Sequence, residues 1–173
     1  MCYNQIGGDP MDNKTKIIKI SGICKIVSKV LYICAITLCI AFITLAIAMP
    51  LTDAIKSITP TEAAIVFSVL ALYSFFSIDL LWNITKFFEV IQTEQNVFSA
   101  SVSKYVKKIA WSILIISCVP ALLGSILIHL LAPDSIFEFR IEVVGISAGI
   151  VLFFLGLFFH YGADLQKQDD ETL

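Results

Sequence analysis

Four stretches of this chain, each close to twenty residues long, carry almost no charge. Residues 30–49 read VLYICAITLCIAFITLAIAM with no charged side chain, and residues 63–82 read AAIVFSVLALYSFFSIDLLW with one, Asp79. Residues 109–131, IAWSILIISCVPALLGSILIHLL, include His129, and residues 143–161, VVGISAGIVLFFLGLFFHY, include His160. A helix of about 20 residues covers the roughly 30 Å of bilayer hydrocarbon. In that medium every backbone N–H and C=O needs an internal partner, which leaves helices and closed barrels. Barrel strands alternate in polarity, whereas these blocks are continuously apolar. The pattern predicts an all-α integral membrane protein with four spans.

The magnitudes agree. The first block holds ten Leu, Ile, Phe or Val residues, which favour insertion by about 3–6 kcal/mol. The second holds eleven, enough to outweigh an Asp79 cost of at most about 2.5–3.5 kcal/mol at the bilayer centre. With 58% apolar and 15% charged residues, against about 45–50% and 25% in soluble domains, too few polar side chains remain to coat a globule. Ala46 and Ala48 form an A-x-A pattern before Met49. However, a signal-peptide core is about 7–15 residues long, so the longer first block is read as a span. Met11 is an alternative start.

Basic residues set the orientation. Lys14, Lys16, Lys19, Lys25 and Lys29 precede the first block, Lys86, Lys104, Lys107 and Lys108 lie between the second and third, and Lys167 follows the fourth. The two remaining connections hold Lys56 and Arg140. Basic residues collect on the cytoplasmic side, so ten against two predicts both termini inside and an up-down-up-down four-helix bundle. The expected layout is a basic cytoplasmic arm at 1–29, a four-span domain at 30–161 and an acidic cytoplasmic tail at 162–173. The arm's lysines also suit anionic lipid.

Local signals refine this layout. Thr59, Pro60 and Glu62 spell a capping box at the start of the second helix. Ser99 is a candidate N-cap for the third. Val102, Tyr105, Val106 and Ile109 share one helical face, with Lys104, Lys107 and Lys108 on the other. Phe87, Val90 and Ile91 form a matching apolar face, so helices two and three are expected to extend into the cytoplasm as a hairpin turning at QNVFS. FEFRIE, from Phe137 to Glu142, alternates with period two and reads as a short extended surface segment. Pro120 predicts a kink. Gly145 and Gly149 form G-x-x-x-G, and Ser117, Ala121 and Ser125 form a small-residue row that can receive it.

Chemistry is sparse. Asp79, His129, His160 and Asp164 are the ionisable groups in or beside the spans, and Asp79 is the candidate intramembrane polar residue. All four map near an interface, where they serve headgroups and helix ends. The five cysteines include no C-x-x-C, and Cys34 and Cys39 point to different sides of one helix. Metal spacing, phosphate loops and a nucleophile elbow are absent. The reading is therefore not an enzyme, with no cofactor and no direct nucleic-acid binding.

The C-terminal YGADLQKQDDETL resembles the ending of the bacterial domain of unknown function family 2975, small four-span membrane proteins that close on an aromatic residue, Gly-Ala, an acid, Leu-Gln and Asp-x-Thr-aliphatic. Here those positions are Tyr161, Gly162, Ala163, Asp164, Leu165, Gln166, Asp170, Thr172 and Leu173. VFSASVSKYVKKIAW is similar to the family's second loop. Lys167 stands where an acid is expected. The resemblance runs from about Lys14 to the end and implies the fold and the bacterial cytoplasmic membrane. It assigns no catalytic residue. Such proteins often accompany small helix-turn-helix regulators, an association that makes a cytoplasmic regulatory protein the candidate partner. Lys104, Lys107, Lys108, Asp164, Gln166, Asp170 and Thr172 are the candidate partner-binding residues. A small transporter or channel using Asp79 and the Pro120 kink is the second reading. An immunity-type membrane protection protein is the third.

Overall fold

The computed structural model describes residues 10–49, 59–94, 99–135 and 138–172. They form four α-helices: α1 Pro10–Ala48, α2 Pro60–Glu94, α3 Ala100–Leu131 and α4 Val143–Thr172. Each contains a segment long and apolar enough to cross a membrane. All four outrun the roughly 20 residues a bilayer requires; α1, with 39 residues, is about 58 Å long.

The helix starts follow from their caps. Thr59 N–H donates to the Glu62 carboxylate at 2.8 Å, and Glu62 N–H donates to Thr59 Oγ1 at 3.3 Å, the two bonds of a capping box. At α3, Val102 N–H donates to Ser99 Oγ at 3.2 Å. Within the spans, hydroxyls return to the preceding turn of their own helix. Ser74 donates to Leu70, Ser77 to Tyr73 and Ser147 to Val143, which satisfies them without a neighbouring helix. α3 continues through Pro120 as one helix.

The helices pack in sequence order. α1 approaches α2, α2 approaches α3 and α3 approaches α4. α1 does not approach α3 or α4 among the described residues, so the expected bundle is open on that side. The seams pair Cys39 with Ala71, Ser28 with Thr85 and Ser21 with Phe88 between α1 and α2. Between α3 and α4 they pair Ser103 with Gly156 and Ser117 with Gly145.

Two apolar clusters join α2 to α3. Ile65, Val69 and Ile128 gather Tyr73, Leu127, Ala132 and Phe139 around them. Ile91, Val102 and Val106 gather Phe87, Val90 and Phe159. The buried residues of the second cluster lie between the second and third apolar blocks and join the two faces expected to form the hairpin, although residues 95–98 of its turn lie outside the described residues.

Two segments add detail to the expectation. Residues 10–29 of the expected arm are helical: α1 begins at Pro10 and runs unbroken into the first apolar block. Residues 138–142 are non-helical, as FEFRIE suggested, but they do not simply lie on the surface. Ser125 Oγ donates to the Phe139 carbonyl at 2.8 Å, and the Phe139 ring sits over Gly124, where a Cβ would come within 2.7 Å of it. Phe137 lies outside the described residues.

Candidate functional site

The polar side chains that link helices concentrate where the apolar blocks meet the lysine-bearing segments. Asp79 on α2 is tied to α3. Ser112 Oγ donates to Asp79 Oδ2 at 2.6 Å, and Asn83 Nδ2 donates to the same oxygen at 3.0 Å. Asn83 also donates to the Asp79 carbonyl at 3.0 Å and lies 3.4 Å from Ser112 Oγ. Asn83 and Ser112 are buried, while Asp79 is exposed at the helix flank. A carboxylate accepting charge-assisted bonds is worth more than a neutral pair, so this cluster fixes both the rotamer of Asp79 and the register of α2 on α3.

Asp79 also lines an open pocket of about 300 Å³ with Tyr32, Phe75, Ile78 and Trp82. The Tyr32 and Trp82 rings lie 5.7 Å apart at 43°. The Lys86 ammonium stands 5.3 Å from the Trp82 ring centre.

A second polar group joins α1 to α2. Ser28 Oγ lies 2.7 Å from Thr85 Oγ1, and the two hydroxyls share the Leu81 carbonyl at 3.2 and 2.8 Å. Further along, Ser21 Oγ donates to the Phe88 carbonyl at 2.9 Å. Glu89 lies between two lysines, Lys86 at 2.8 Å and Lys25 at 3.4 Å. The Lys86 ammonium, and then that of Lys25, hold the Glu89 carboxyl below its ordinary pKa, and Glu89 in turn raises that of Lys86. All three groups are part-exposed beyond the end of the second apolar block at Trp82, so solvent and salt weaken the pairing.

The glycine face is in contact with α3. A Cβ on Gly145 would overlap the Ser117 side chain, and one on Gly149 would come within 2.8 Å of Leu114 Cγ and 3.2 Å of the Ala110 carbonyl. Gly156 extends the seam, with Lys107 Cγ 2.8 Å from its Cβ position. Ser103, Ala110 and Ser117 supply the opposing small surface and are all nearly fully buried. Their spacing of seven was a readable signal that the small-residue row through Ser117, Ala121 and Ser125 did not use.

The candidate partner-binding residues separate. Lys104 and Lys108 are exposed, with the Lys108 ammonium 5.5 Å from the Tyr105 ring centre, while the Lys107 stem lies against α4. Asp164 lies 3.9 Å from His160, one turn back on its own helix. The side chains of Gln166, Asp170 and Thr172 lie outside the described residues, although α4 itself continues to Thr172. The structure brings together Asp79, Asn83 and Ser112, of which Asn83 and Ser112 escaped the sequence reading. No group of three or more His, Cys, Asp or Glu residues that could hold a metal ion occurs among the described residues. Comparison with protein-family models, curated proteins and solved structures gives no match for this chain.

Proposed function

We propose that this chain is a multi-pass protein of the bacterial cytoplasmic membrane that presents a helical cytoplasmic head to a protein partner and carries out no chemistry itself. The reading takes the helices as up-down-up-down with both ends inside. The ten-to-two distribution of basic residues supports that orientation. So do the seam pairs, in which residue numbers rise along one helix as they fall along its neighbour. Each helix then carries an interfacial aromatic residue at the inner boundary: Tyr32, Trp82, Trp111 and Tyr161.

One observation carries the reading. Every helix continues well past its aromatic residue, and on the proposed orientation all four extensions lie on the cytoplasmic side: α1 from Tyr32 back to Pro10, α2 from Trp82 to Glu94, α3 from Trp111 back to Ala100 and α4 from Tyr161 to Thr172. The extensions are held by the Lys25–Glu89 pair, the Ser21–Phe88 bond and the Ile91–Val102–Val106 cluster. Lys19, Lys29, Lys104 and Lys108 remain on their surface. Such a head suits a regulatory protein, as does the family resemblance of the ending.

The test is site-specific photocrosslinking in cells from positions 104 and 108, with identification of the attached protein, repeated after deletion of residues 164–173. A defined adduct lost with the tail supports the reading. Adducts to lipid alone sink it. The transporter reading draws on Asp79 and its pocket. Against it stand the span hydroxyls of Ser74, Ser77 and Ser147, which close on their own helices instead of forming a polar path.

A further inference from the structure

Asp79 is a carboxylate of which one half is engaged. Ser112 and Asn83 both donate to Oδ2, and Oδ1 accepts no hydrogen bond from the described residues. No Lys, Arg or His among them comes within ion-pair distance of either oxygen. Lys86, the cation nearest the pocket's Trp82 wall, is engaged with Glu89 at 2.8 Å. The other walls of the pocket are the Tyr32, Phe75 and Trp82 rings and the aliphatic Ile78. Phe75 is 60% exposed and Trp82 49%, so the mouth lies on the outer flank of the α1–α2 pair, where lipid would stand.

We propose that this pocket binds an organic ammonium group that arrives through the bilayer. Three features select that chemistry. The carboxylate supplies a negative charge with a vacant acceptor oxygen, and the buried Ser112 and Asn83 hold it in place from the α3 side. The paired Tyr32 and Trp82 rings offer the faces that attract a cation whose charge is spread over C–H and N–H groups. Ile78 and Phe75 supply apolar surface for methylenes beside that charge. A metal ion would need several oxygen or nitrogen ligands, and Asp79 is the only ionised side chain lining the pocket. An anion would be repelled. The ammonium has two sources, the amino headgroup of a phospholipid or a membrane-partitioned organic cation.

The experiment uses the full-length chain with Trp111→Phe, which leaves Trp82 as the single tryptophan reporter. The protein is placed in nanodiscs of dioleoyl phosphatidylglycerol, and Trp82 emission is followed. In one arm dioleoyl phosphatidylethanolamine replaces a rising share of the lipid; in the other tetrabutylammonium is added. A saturable change is expected in at least one arm, and the arm that gives it identifies the source. Asp79→Asn, which keeps an acceptor for Ser112, weakens the response at least tenfold. Asp79→Glu, which restores the charge, recovers most of it. As an independent readout, native mass spectrometry of the wild-type chain with the two lipids in equal amounts is expected to retain the amino lipid at least fivefold over phosphatidylglycerol, if the lipid is the source. No saturable change in either arm, or Asp79→Asn binding like wild type, overturns the proposal.

Discussion

The hydroxyl of Ser103 donates to the backbone carbonyl of Gly156 at 2.7 Å, and this bond anchors one end of a seam that runs through Ala110–Gly149 to Ser117–Gly145. It forms because neither helix carries bulk along that line. In lipid there is no hydrophobic drive between helices, so contact depends on close approach.

Gly149→Leu should therefore destabilise the protein in detergent. The added side chain meets Leu114 and the Ala110 carbonyl, and overpacking of this kind costs about 1–3 kcal/mol. Val151→Leu, at a position 58% exposed, is the control. A thermal melt that moves for Gly149→Leu and stays in place for Val151→Leu supports the contact.

Ser28→Ala should loosen α1 from α2. The substitution leaves Thr85 and the Leu81 carbonyl to satisfy each other and removes the bond between helices. Interhelical hydrogen bonds in membranes average about 0.6 kcal/mol with a maximum near 1.7 kcal/mol. A disulfide between Cys39 and a cysteine introduced at position 71, which face each other across the seam, should form more slowly in the variant. An equal rate would mean that the hydroxyl contributes nothing to the seam.

Glu89 gives a pH dependence whose sign is fixed. Its folded-state pKa is lowered by Lys86 and Lys25, so its contribution is present above the unfolded carboxylate range and is lost as pH falls through the folded value. At neutral pH, Glu89→Gln should raise hydrogen exchange in residues 84–94 and 18–30. Acidification should bring wild type up to the same rate, and salt should narrow the difference at neutral pH. A constant difference down to low pH contradicts this account.

Orientation is tested by fusions at Leu173. A fluorescent protein there should mature and a periplasmic phosphatase should stay inactive, and the same fusions at Ala163 of a chain lacking residues 164–173 should behave alike. Phosphatase activity would reverse the assignment of sides.

Much of this architecture can be read from local chemistry. Thr59 with Glu62 and Ser99 with Val102 form the bonds their spacing implies. The apolar faces of Phe87, Val90 and Ile91 and of Val102 and Val106 meet each other. Gly145 and Gly149 face α3. What escaped depends on partners distant in sequence. Ser112 lies 33 positions from Asp79, and nothing local to either residue announces their bond. The region before the first span was read through its lysines, which mark sidedness. Its small hydroxyls, Ser21 and Ser28, are what dock it on α2. Charge was the stronger signal there, and it masked the spacing of seven that Ser21 and Ser28 share with Ala35.

The unbroken length of α1 has a mechanical consequence. From Tyr32 back to Pro10 it continues for 22 residues without a break in the helix, an arm of about 33 Å. A stiff rod that pivots where it enters the bilayer converts angle into travel, so a 10° change of tilt displaces its far end by about 6 Å. A span longer than the hydrocarbon is thick can tilt to fit it, and Ser21, Ser28 and Lys25 couple α1 to α2 along the same arm. Any change in the tilt of α1 is thereby shared with the α2 segment bonded to it rather than confined to one helix.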